Sequence, residues 1–153
     1  MLASVLRMGL LVTAGTAAVA GSAEDLLADA MRLLGARTYV ASATNWCQLN
    51  VADDPALSAS ADAWNSRNRA VNERALQVIE AVGGLSPEQR AAMNRAGDQM
   101  IRKDIQSRPD PVAFCRTLSG KLDSGIIDVE KRDDLRGSLA RVRAYKLPTA
   151  GNS

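Results

Sequence analysis

Eight residues between Leu57 and Val82 recur in alternating steps of four and three: Leu57, Ala61, Trp64, Asn68, Val71, Ala75, Val78 and Val82. That rhythm keeps side chains on one side of an α-helix; a strand turns every second residue to its other face. Residues 55–82 are therefore predicted to form one long helix with a buried seam. Leu76 and Ile79 widen the stripe toward its end. Gly83-Gly84 should stop it, because glycine enters the left-handed conformation that closes a helix.

The rest of the chain is punctuated for helices too. Asp54-Pro55, Ser86-Pro87 and Asp110-Pro111 each place a capping residue before proline at the first helical position. Ser86 also has Gln89 three residues on, the pattern of a capping box. Residues 87–107 gather Met93, Ala96, Met100, Ile101 and Ile105, and residues 111–123 gather Phe114, Cys115, Leu118 and Leu122, before Gly125. Residues 129–145 use Leu135, Leu139 and Val142. The segment from Glu24 to Asn50 reads as helix, interrupted at Gly35, with Val40, Ala43 and Cys47 on one side. The expected fold is all-α: a four- to five-helix antiparallel bundle over residues 24–146, followed by a disordered tail at 147–153.

The first residues carry a different message. Arg7 is the lone charge before an uncharged run ending in small residues, with Ala18-Val19-Ala20 and Gly21-Ser22-Ala23 as cleavage sequences. A charged start, a short apolar centre and small residues describe a secretory signal peptide over residues 1–23, cleaved after Ala20 or Ala23. The run is shorter than the roughly 20 apolar residues of a membrane span. The expected destination is the periplasm or the extracellular space, with no integral membrane segment after cleavage.

Export decides how the two cysteines are read. An even number of cysteines in an oxidising compartment implies disulfides, and two allow only one, Cys47 to Cys115. Closing a loop of that length stabilises a fold by about 4 kcal/mol in the chain-entropy picture. No C-x-x-C motif suggests redox chemistry, and two thiols without histidine are too few for a zinc or iron–sulfur site.

The chain has no histidine at all. That excludes Ser-His-Asp and Cys-His nucleophiles and the usual transition-metal sites. No glycine-rich phosphate loop is present, so neither a cofactor nor a metal is expected. Five aromatic residues are too few for nucleic-acid stacking platforms, and removal of Arg7 leaves the formal charge at +1, which gathers no nucleic acid. Enzymes built on carboxylates, lysine or tyrosine remain conceivable, but nothing in the sequence points to one.

Few residues stand out as sites. Asn68 sits in the seam, where an amide is expected to be buried and bonded to backbone or a neighbouring helix, or else to floor a ligand pocket walled by Trp64. Trp46 and Trp64 read as core, and Trp46 is the better candidate for an exposed partner anchor, because Cys47 beside it should point inward. Met93 and Met100 read as core packing. Asp53-Asp54 and Asp133-Asp134 do not form a catalytic dyad, because sequence neighbours diverge on a helix. The basic residues of the last helix, including Arg136, Arg141 and Arg143, read as a solvated face. The expected function is non-enzymatic protein–protein binding, as adaptor, inhibitor or subunit. The alternatives are a small-ligand binder with an inter-helical pocket near Trp64 and Asn68, and a periplasmic stress chaperone.

Overall fold

The computed structural model describes residues 22–52 and 54–148, and every regular element among them is helical. The α-helices are α1 (Ala23–Asn50), α2 (Pro55–Arg67), α3 (Arg69–Ala81), α4 (Pro87–Gln106), α5 (Pro111–Asp123) and α6 (Arg136–Ala144). Two single 3₁₀ turns, Val129–Lys131 and Asp133–Leu135, precede α6. The expected signal peptide, apart from Ser22 and Ala23, lies outside the described residues, as do Asp53 and the last five residues of the expected tail. Among the described residues no helix is long and apolar enough to cross a membrane.

The three expected caps form. Asp54 accepts from the Ala56 N–H at 2.9 Å, Asp110 from Ala113 at 2.8 Å, and Ser86 and Gln89 close a reciprocal capping box. Ser22 and Asp25 make a second capping box at the start of α1, which the sequence reading did not anticipate. Each satisfies a helix N–H that has no intrahelical partner. Gly84 and Gly125 take left-handed conformations after α3 and α5, at φ +62° and +66°.

α1 is the central element and touches all five other helices. Gly35 does not interrupt it; the helix runs unbroken through that position. Ser42, Ala43, Thr44, Trp46 and Cys47 are all buried, which no one-sided stripe could achieve. Trp46 therefore lies in the core, as read from the sequence, and is not the exposed partner anchor that was its alternative. It is only 6% exposed, because α1 is surrounded here and two adjacent positions can both face protein. Cys47 and Cys115 form the expected disulfide, tying α1 to α5 with their Cα atoms 5.5 Å apart.

The expected long helix at 55–82 is broken once, at Asn68, which separates α2 from α3 with φ −96° and ψ 6°. The seam nevertheless holds: Leu57, Ala61, Trp64, Asn68, Val71, Ala75 and Val78 are all buried, while Val82 is half-buried. The break follows from what Asn68 bonds. Its Nδ2 donates to the Trp64 carbonyl at 2.9 Å and to Asp128 Oδ1 at 3.2 Å, and its Oδ1 accepts from the Val129 N–H at 2.9 Å. The segment between α5 and α6 is thereby clamped against the α2–α3 junction. Arg67 donates to both carboxylate oxygens of Asp128, and the Trp64 indole N–H donates to the Ile127 carbonyl. The same clamp accounts for 3₁₀ turns where the last helix was expected to begin: residues 127–129 are held to α2 and cannot wind regularly into α6.

A second polar cluster joins the ends of the chain. Asp29 on α1 is 4% exposed and accepts two hydrogen bonds from Arg141 and one from Ser138, both on α6. Arg141, itself exposed, thus tethers α6 to the buried carboxylate of Asp29 as well as belonging to a basic face. Arg132, Arg136 and Arg143 also form ion pairs, with Asp134, Asp133 and Glu130. Most of the local basic excess is neutralised by neighbours.

Candidate functional site

α4 is packed differently from the other helices. Of its twenty residues only Ile105, near its end, is buried. Met93 and Met100 are 41% and 73% exposed, and Ala96 is exposed as well. The expectation that these methionines pack the core is therefore corrected. The apolar stripe exists, but it faces an open cleft instead of a closed interior.

The cleft has a volume of about 1060 Å³ and lies between α1, α3 and α4. α1 lends Met31, Leu34, Thr38 and Tyr39; α3 lends Leu76 and Ile79; α4 lends Met93, Met100 and Ile101; and Ile127 and Leu135 complete the wall. The lining is predominantly apolar and the size is at the top of the ~300–1,000 Å³ range of ligand pockets. Thioethers suit such a surface, since methionine is unbranched and adapts to different occupants. α4 runs alongside α1, and at Gly97 the approach is tight: a Cβ there would lie 3.3 Å from Thr38 Cγ2. Asp98, which Arg102 and Ser42 hold below the usual carboxylate range by hydrogen bonds, adds a polar tie nearby. Ile105 is buried and Ile101 packs partly buried against the core, while the side chains from Pro87 to Met100 stay exposed or half-buried.

Polar side chains interrupt the apolar lining, among them Arg32, Asn94, Arg132 and Asp134. Tyr39 is half-buried, and burial pushes its phenol above its ordinary value, so it stays a neutral hydrogen-bond donor. Arg37 and Arg90 line the cleft without an ion pair among the described residues. Beside the cleft lies a smaller recess of about 540 Å³, lined by Arg37, Asp62, Asn65, Arg69, Asn72 and Glu73 among others. Arg37 and Leu76 line both.

The residues singled out from sequence are elsewhere. Trp64 is fully buried, Asn68 is 2% exposed and Trp46 is 6% exposed; none of them lines the cleft or the recess. The structure brings Trp64 and Asn68 together in the clamp on residues 127–129, while Trp46 sits next to the disulfide with its Nε1 lacking a hydrogen-bond partner. The signal for the cleft was present in the sequence as the spacing of Met93, Met100 and Ile101. It was read as core because an apolar stripe does not say whether anything covers it.

No known protein family matches the chain, and no similar curated protein or solved structure was found.

Proposed function

We propose that this is an exported, non-enzymatic binding protein that holds an elongated apolar molecule in the α1–α3–α4 cleft. The observation that carries this reading is the cleft itself: a large apolar surface open beneath a helix that contributes one buried residue to the core. The Cys47–Cys115 disulfide supports a periplasmic or extracellular location. The lack of histidine throughout the chain favours binding over catalysis.

The test uses N-phenyl-1-naphthylamine, a neutral dye that brightens in apolar surroundings. Wild-type protein should bind it, and Met93→Arg should weaken binding about tenfold by placing a charge in the apolar lining. No dye uptake by folded wild-type protein would remove the reading.

A second reading, protein–protein binding, is favoured by the exposure of Met100, since methionine-lined grooves accept apolar faces of partner helices. A photo-crosslinker at Met100 should then join the protein to one discrete partner, and Met93→Arg should abolish that product. A diffuse set of adducts unaffected by Met93→Arg would argue against it.

A further inference from the structure

The recess next to the cleft is lined by charges of both signs. Eight ion pairs among the described residues engage eight different arginines. Arg37 and Arg69 are not among them, nor are Asp62 and Glu73, yet all four line this one recess. Two cations and two carboxylates therefore share a small concavity without bonding one another. Asn72 lines it as well, is 6% exposed, and its Oδ1 has no hydrogen-bond partner. A buried amide oxygen left without a partner is costly, and a half-turn of the amide presents either its oxygen or its nitrogen to an occupant.

The recess adjoins the apolar cleft, with Arg37 and Leu76 belonging to the walls of both. A molecule seated across the two would meet apolar side chains along one part and charges of both signs at the other. A simple anion would be drawn to the arginines but repelled by Asp62 and Glu73; a simple cation would meet the reverse. A phosphate next to an ammonium satisfies both pairs, with the guanidinium groups on the phosphate oxygens and the carboxylates near the ammonium.

We propose that the recess is a headgroup site and that the occupant of the cleft is a single-chain amphiphile with a zwitterionic headgroup. This rests on the reading of the cleft as an apolar binding site. The tail lies between Leu34, Ile79 and Ile101, and the headgroup lies among Arg37, Arg69, Asp62 and Glu73.

The test is calorimetric titration of the oxidised protein with three monomeric amphiphiles: lysophosphatidylcholine, dodecyl phosphate and dodecyl maltoside. Wild-type protein should bind the zwitterion about tenfold more tightly than either of the others. Arg69→Ala and Asp62→Ala remove exposed side chains that the core does not need. Each should erase most of the zwitterion's advantage and leave dodecyl maltoside affinity unchanged. Similar affinity for all three, or a preference for dodecyl phosphate, would overturn the headgroup site while leaving the apolar cleft intact. Binding of none of them, by a protein that also excludes the naphthylamine dye, would overturn both.

Discussion

Asn68 Oδ1 accepts the Val129 N–H at 2.9 Å, joining residues 61 positions apart in the chain. The bond closes the clamp between the α2–α3 junction and the segment leading to α6. Nδ2 of the same amide reaches the Trp64 carbonyl and Asp128, so the buried side chain has partners for both its ends. Asn68→Ala would leave the Val129 N–H unpaired in the interior. Urea unfolding should show a loss of about 2–3 kcal/mol. Dye binding in the cleft should persist in conditions where the variant is folded, because Asn68 does not line it. A variant as stable as wild type would show that the clamp is incidental.

Asp29 makes stability depend on acid. Hydrogen bonds from Arg141 first, then from Ser138, outweigh burial and hold its carboxyl below the usual range. A carboxylate depressed in the folded state contributes stability that is fully present above its unfolded value, about pH 3.9, and is lost as pH falls through the folded value. Stability measured from pH 5 to pH 2 should therefore decline faster in wild type than in Asp29→Asn. At pH 7 that variant should be destabilised by about 2 kcal/mol, since a charge-assisted pair is replaced by a neutral contact. Parallel acid curves for the two proteins would show that Asp29 is not responsible.

On the proposal that the chain is exported with its leader removed, Ser22 distinguishes the two cleavage positions by what each leaves of α1. As N-cap of α1 its hydroxyl accepts from Asp25 N–H at 3.1 Å, and Asp25 returns the bond to the Ser22 N–H at 3.1 Å. Processing after Ala20 keeps this box, whereas processing after Ala23 removes Ser22 and costs the central helix about 1 kcal/mol. On that proposal the mature protein should begin at Gly21. Intact mass of protein taken from its native compartment reads the terminus directly, and a chain beginning at Glu24 would refute the preference.

The disulfide should matter more for stability than for chemistry. Both cysteines are buried, Cys47 at 1% and Cys115 at 7% exposed, so a reductant reaches them poorly in the native state. The Cys47→Ala/Cys115→Ala variant should unfold at lower urea by an amount equivalent to about 2–4 kcal/mol. Mild reductant should leave native wild-type protein oxidised but reduce it once unfolded. Fast reduction of the native form would point to an accessible, working thiol pair.

Much of this architecture was legible because its signals are local. Proline after Asp54, Ser86 and Asp110 marks helix starts whatever the tertiary context, and the seam of α2 and α3 buries the predicted side chains despite the break. Cys115 shares its stripe with Leu118 and Leu122, which placed it on the core side and made the staple to Cys47 readable. What failed depends on distant partners. The break at Asn68 is set by Val129 and Asp128, and Arg141 meets Asp29 from 112 positions away in the chain. The cleft failed for another reason: Met93 and Met100 have the spacing of a core face, and spacing does not record that the space opposite is left open.

That open space leads to an expectation about motion. The first eighteen residues of α4 hold no buried side chain, although the helix runs alongside α1 with Gly97 against Thr38 and Ile101 partly buried. Local opening is easiest where few apolar contacts must be given up. Amide exchange in α4 between Arg90 and Met100 should be at least about tenfold faster than in α1 between Val40 and Cys47, which is enclosed and tied to the disulfide. An occupant in the cleft would bridge Met93, Met100 and Ile101 to Leu34 and Ile79, so saturating ligand should slow exchange in α4 selectively and leave α5 and α6 unchanged. If α4 is already as protected as α1 without ligand, the cleft is a rigid groove and its occupant must enter from the open side without the helix moving. If ligand binds but α4 exchange does not change, the occupant is held by α1 and α3 alone, and Met93→Arg should then have little effect on affinity.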